Sequence, residues 1–407
     1  MPTDDIYPRF SPEEFARRHA ATYALMEEHG CDVLIFFGTS AGSGTGQADI
    51  YYLSHHMGRQ ENILVFIAGQ EPVLLVESFN HVPNALRQSV VRDTRYGGPK
   101  SRFAQTLLDL LRSRDARCER IGIVGAMPYQ VYNPLLAGLP GAEAADLTGV
   151  FRLLRLTKSA EELEWLRRGA ALTDAALTSM VTGMRPGMRE YELGPLLADG
   201  YREQGGEDVL HYISSTPQDA SDRCVPAQTP ARRVLERGDV IAIELSVGYH
   251  GYAGQTLRTM ILDGTPNALY SRLHQTAEAA YFGMCAALEP GATTDDVLAA
   301  AEVIDRAGFE IIDGLLHGYA VGLLPPSVPG ESYPTGLSRP VRMPGQGGRP
   351  FVFRKDMTVV VQPNVVTRDR TAGVQLGNLM LVTETGAEPL HGCPVEFLRA
   401  GGGVLES

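Results

Sequence analysis

Two α/β domains are the architecture this sequence predicts, on three observations: its length, its alternation of apolar runs with amphipathic stretches, and a strong helix-start signal before its midpoint. At 407 residues the chain exceeds what one hydrophobic core usually serves. Residues 12–29 have the spacing of an amphipathic helix, closed by Gly30. Short apolar runs at 31–37, 62–67, 72–76 and 120–124 have strand chemistry, and a helical stretch near 101–114 separates the last two. That alternation predicts a smaller α/β domain over residues 1–150.

The second domain, residues 151–407, begins with Ser159 followed by Glu162. A serine N-cap with glutamate at N3 is a capping box, and a long amphipathic helix follows it. Further helices are predicted near 188–204, 266–288 and 294–308, and strands at 239–247, 256–262, 357–362 and 374–384. Residues 324–350 hold many Pro and Gly residues and little periodicity, a kind of long loop that is often functional.

Hydrophobic residues make up 44% of the chain and charged residues 21%, with a formal net charge of −12. Lys and Arg are scattered, which argues against nucleic acid or an anionic membrane surface as partner. No apolar stretch approaches the roughly 20 residues needed to span a bilayer. Residues 1–5 are acidic at their end, and no apolar leader core follows them. The five cysteines are widely spaced with no CxxC pair, which fits a reducing compartment, and a cytoplasmic location is expected.

Four segments in register carry a family resemblance. Residues 154–167 read Leu-Arg-Leu-Thr-Lys-Ser-Ala-Glu-Glu-Leu-Glu-Trp-Leu-Arg, and residues 227–239 read Ala-Gln-Thr-Pro-Ala-Arg-Arg-Val-Leu-Glu-Arg-Gly-Asp. Residues 243–259 carry a strand pair, and residues 357–363 with 373–383 carry two more strands. In this order and spacing they resemble the creatinase/prolidase/aminopeptidase P family across nearly the whole chain. The resemblance implies an α/β fold class: a smaller α/β N-terminal creatinase-like domain and an α+β "pita-bread" C-terminal domain, in a homodimer.

The metallopeptidases of that family hold two divalent metals with two Asp, one His and two Glu. Carried over residue by residue, the first Asp falls on Glu244, the second on Gln255, the His on His317, the first Glu on Gln362 and the second on Gly377. Amides are poor ligands for such ions and glycine has no side chain to offer. Two further family histidines fall on Ala227 and on Leu324 or Pro325, and the first of these is creatinase's general base. The expectation is therefore no metal, no cofactor, and neither the peptidase nor the simple creatinase mechanism.

What the resemblance leaves in the pocket is Glu244 with His317 as the catalytic candidates, able to activate water or to attack directly. Burial without metal charge is expected to raise the Glu244 pKa. Gln255, Gln362 and Asn378 keep the pocket polar and close to neutral. Arg59 falls where creatinase binds its substrate carboxylate, His55 and His56 are pocket-wall candidates, and Arg339 and Arg342 sit in the Pro/Gly-rich loop. Cys224, with His211 or Arg223 near it in sequence, is a further nucleophile candidate, and His250 and Tyr252 lie in the hairpin between Glu244 and Gln255.

The expected function is metal-independent hydrolysis of a C–N bond, an amide, in a small carboxylate-bearing amino-acid derivative such as an N-acyl amino acid or a cysteine conjugate of a specialised pathway. Two other readings stay open on the same residues: a pita-bread protein that binds a ligand without turnover, and a metal-free lyase.

Overall fold

The computed structural model describes residues 6–39, 45–58, 60–317 and 351–401. The chain divides into two compact units with the boundary between Arg155 and Leu156.

The first unit is built on a six-stranded mixed sheet in the order β4-β3-β2-β1-β5-β6. Its strands are β1 (Val33–Gly38), β2 (Asn62–Ile67), β3 (Val73–Val76), β4 (Asp93–Tyr96), β5 (Arg120–Val124) and β6 (Glu143–Asp146). β1 runs antiparallel to β2 and parallel to β5. Its alternate residues feed two cores: Val33, Ile35 and Phe37 pack with Phe103 and Leu107, while Leu34 and Phe36 pack with Leu25 and Phe151. A strand buried on both faces reads as a continuous apolar run, which is why the sequence displays it so clearly. The first helix, α1 (Pro12–Glu28), starts as expected, with Ser11 Oγ accepting from the Glu14 amide.

In the second unit, α2 (Ala160–Gly183) opens on the complete capping box of Ser159 and Glu162. It lies on an eight-stranded sheet whose main path includes β7 (Glu207–Pro217), β8 (Asp239–Tyr249) and β9 (Tyr252–Leu262). It continues through β10 (Leu316–His317), β11 (Thr358–Val361) and β12 (Gly377–Val382), in the order β10-β11-β12-β9-β8-β7. The β8–β9 hairpin turns through His250 and Gly251, both at positive φ (45° and 78°), the two-residue geometry that suits the strand twist.

Along β8, Ile241, Ile243, Leu245 and Val247 face α2 and the short helix α3 (Leu193–Asp199) in one apolar cluster. Contact is close: a Cβ on Gly254 would lie 2.4 Å from Ala170 Cα, so only glycine fits there. Thr173 Oγ1 then ties α2 to both strands, donating to Gly254 O at 2.8 Å and accepting from Val247 N at 2.9 Å. Helix α4 (Ala268–Ala287) covers the β11–β12 half through Tyr281, Met284 and Met380.

The predicted helix over 188–204 is interrupted. Only Leu193–Asp199 is α-helical, between two 3-10 turns, because Gly194, Pro195 and Gly200 do not sustain a longer run. β7 was not anticipated. It ends the sheet path and is studded with Asp208, His211, Ser214 and Thr216, which hide the strand signal. Among the described residues no helix is long and apolar enough to cross a membrane.

Candidate functional site

Alternation along β8 and β9 creates the site. Because Ile243 and Leu245 face α2, Glu244 points to the opposite side of the sheet. Its cross-strand partner is Leu257, and Gln255 opposite Ser246 shares that face. The Gln255 Nε2 donates a hydrogen bond to Glu244 Oε1. Gln255 is fully buried, and its Oε1 is enclosed with no partner. Burial pushes the Glu244 carboxyl up to about 7, against the smaller pull of the Gln255 amide.

The same row continues across the sheet, since Leu257 pairs with Gly377 on β12 and Gln362 follows directly on β11. His317 is the last residue of β10, and its Nε2 lies 2.7 Å from Gln362 Oε1. Gln362 Nε2 donates to the Gly314 carbonyl at 2.9 Å, which fixes the amide orientation. Its Oε1 must therefore accept, so His317 carries a proton on Nε2.

A further carboxylate, Asp313, was missed by the sequence reading. Asp313 Oδ2 accepts from Asn364 Nδ2 at 2.9 Å, and Asn364 is oriented in turn because its Oδ1 accepts from Leu376 N at 3.3 Å. The other oxygen, Oδ1, is buried without a partner. Burial pushes Asp313 up to about 7; the Asn364 bond opposes this and the Glu244 charge adds to it. The available signal was an acid between two apolar runs, four residues ahead of His317. Its Asp-Gly sequence reads equally well as a plain turn.

Of the expected residues, the structure places Glu244, Gln255, His317 and Gln362 along this face. Asn378 is not among them. One residue on from Gly377, it faces the opposite way, where Nδ2 donates to Tyr281 Oη at 2.9 Å and Oδ1 accepts from Thr256 and Arg258 at 3.0 Å each. His55 belongs to the first unit, where a ring nitrogen lies 2.9 Å from Pro8 O and the ring packs on Phe10, Phe15 and Tyr51. Arg59, Arg339 and Arg342 lie outside the described residues.

Cys224 is buried and its thiol is pushed up by that burial, the reverse of an activated nucleophile. Its sequence-local helpers are engaged elsewhere, His211 near Asp208 and Arg223 near Glu190. Tyr252 donates to Glu162 Oε1 at 3.0 Å, and the His250 ring packs on Trp165.

The donor set does not fit a pair of divalent metals. Two of the five ligand positions implied by the resemblance are amides already committed to Glu244 and His317. The third change, Gly377, has no room for a side chain: a Cβ there would lie 2.7 Å from Val361 O and 2.9 Å from Gln362 Cβ.

Residues 164–384 match metallopeptidase family M24, and residues 18–157 match the creatinase/prolidase N-terminal domain. An uncharacterized hydrolase/peptidase of Sinorhizobium fredii is 27% identical over 340 residues, covering 78% of this chain and 82% of the relative. A probable dipeptidase, PepE, of Mycobacterium bovis is 27% identical over 278 residues, 65% of this chain and 68% of the relative. Among solved structures, the X-Pro aminopeptidase of Thermotoga maritima superposes with a TM-score of 0.77 at 19% identity, over 94% of this chain and 99% of its own. That last likeness speaks to the fold.

Proposed function

The chain belongs to metallopeptidase family M24, and from that premise we propose that it hydrolyses an amide C–N bond of a small amino-acid derivative without a metal ion. The observation that carries this reading is the pair of carboxyl groups, Glu244 and Asp313, each raised to about 7 beside neutral amides. The names of the relatives, hydrolase/peptidase and dipeptidase, support amide hydrolysis.

With each carboxyl raised to about 7 by burial, both protonated and ionised forms are accessible near neutral pH. Glu244, steered by Gln255, takes a proton from the attacking water. Asp313, still protonated, delivers one to the departing nitrogen. His317 presents Nε2–H toward Gln362. The unpaired Gln255 Oε1 is the natural acceptor for a substrate N–H. In this reading Arg59 and Arg342 bind the substrate carboxylate, the substrate class is N-acyl amino acids or cysteine conjugates, and the protein acts as a cytoplasmic homodimer.

The test is a panel of N-acyl amino acids in ¹⁸O-water, with and without exhaustive chelation. Hydrolysis should survive chelation, label the released carboxylate, and give a bell-shaped pH profile centred near 7. Glu244→Gln should lower kcat by about 10³-fold and leave ligand binding intact. Loss of activity on chelation with recovery on adding Mn²⁺ would overturn the metal-free reading. Unlabelled, eliminated product would make the protein a lyase, and binding without turnover would make it a ligand-binding protein.

A further inference from the structure

The reverse face of the β8–β9 pair holds a second cluster of chemically active side chains. Asp174 on α2 meets the segment that follows β12 and its edge partner: His391 Nδ1 lies 2.8 Å from Asp174 Oδ1, and Gly392 N donates to Oδ2 at 2.6 Å. Cys393 lies beside them. A carboxylate oxygen of Asp174, a ring nitrogen of His391 and the Cys393 sulfur all fall within 4.8 Å of one another. Among the described residues no other group of His, Cys, Asp and Glu is gathered so closely.

The group is enclosed. The His391 side chain is wholly buried, yet its Nε2 has no hydrogen-bond partner. Nε2 is on the far edge of the ring from Asp174, so the nitrogen that His391 offers beside the carboxylate is Nδ1. The Cys393 sulfur is backed by Arg258, whose Nη2 donates to it at 3.0 Å. Metal-bound thiolates commonly accept such outer bonds, and here the guanidinium offsets part of the negative charge of a carboxylate and a thiolate.

We propose that Asp174, His391 and Cys393 form a binding site for one borderline-soft divalent cation of the Zn²⁺ type. Thiolate, imidazole and carboxylate together select such an ion over Mg²⁺ or Ca²⁺, and three protein ligands leave a fourth position for water. Binding replaces the thiol proton: a sulfur–metal bond forms, the S–H bond breaks, and one proton leaves to solvent. The ion would tie α2 to the segment around residue 392, away from the pocket that carries Glu244. The site is independent of the proposed hydrolysis.

The experiment is titration of the chelator-stripped full chain with Co²⁺, read by absorption and by proton release. One equivalent should saturate a thiolate-to-cobalt band in the near ultraviolet and release about one proton. Cys393→Ser should abolish the band, and His391→Asn should weaken affinity at least tenfold. Glu244→Gln should change neither. No saturable band in the wild type, a band that survives Cys393→Ser, or one lost in Glu244→Gln would overturn the assignment. Should Cys393→Ser fail to fold by circular dichroism, the decision passes to His391→Asn, where unaltered affinity overturns it.

Discussion

One strand pair carries opposite solutions to the same problem on its two faces. On the helix side, Arg258 is wholly buried and every donor it has is used. Its guanidinium donates to the carbonyls of Leu257, Gly377, Cys393 and Pro394, to Asn378 Oδ1 and to the Cys393 sulfur. On the pocket side, Glu244 and Asp313 each receive one amide, and no Lys or Arg among the described residues is hydrogen-bonded to either. Burial therefore drives them toward the neutral form. A charge with every donor used is a structural fastener. A carboxyl with an oxygen to spare, held near its own pKa, is a proton carrier.

The sharpest way to break this contrast is Arg258→Met. It removes a cation and strands several buried acceptors at once, so a loss of about 3–5 kcal/mol is expected in urea unfolding. A loss near zero would mean that water replaces the guanidinium and that this face is not saturated at all.

The pocket side predicts the opposite sensitivity, to pH. Glu244 titrates near 4.5 unfolded and at about 7 folded, so the folded state binds the extra proton between those values. Its contribution is whole below pH 4.5 and is lost as pH rises through 7, about 3 kcal/mol in all. Glu244→Gln removes that slope, so unfolding free energies of wild type and variant should converge or cross between pH 5 and 8. A constant difference across that range would refute the raised carboxyl.

The smallest effect is expected at the seam of the two faces. Gly377→Ala forces a methyl against Val361 O, for a cost of about 1–3 kcal/mol, measured by thermal melting. A neutral result would show that β11 and β12 slide apart easily.

Much of this was legible in the sequence, for reasons that differ by element. The buried strands β1, β2 and β3 and the Ser159 cap each announce themselves within a few residues, because their signals are local. The resemblance brought Glu244, Gln255, His317 and Gln362 to one face, and the α/β class followed. Asp313 escaped because its partners, Asn364 and Glu244, lie 51 and 69 positions away, and only the fold brings them together. Asn378 was placed on the wrong side by a single step of strand parity, which only the pairing of β12 with β9 fixes. His391 and Cys393 have no ligand spacing of their own; Asp174, on a helix more than two hundred residues earlier, completes the group.

The missing space at Gly377 also acts as a ratchet on this fold. Elsewhere an amide can revert to a carboxylate by one substitution with little change of shape, as Gln255 or Gln362 would. At residue 377 a glutamate must first push aside the main chain of Val361, the strand that carries Gln362 beside His317. A carboxylate at residue 377 would therefore disturb the imidazole beside Gln362 before any ion arrived to compensate. A lineage holding this backbone has more accessible routes forward, through altered hydrogen bonds to its neutral pocket, than back.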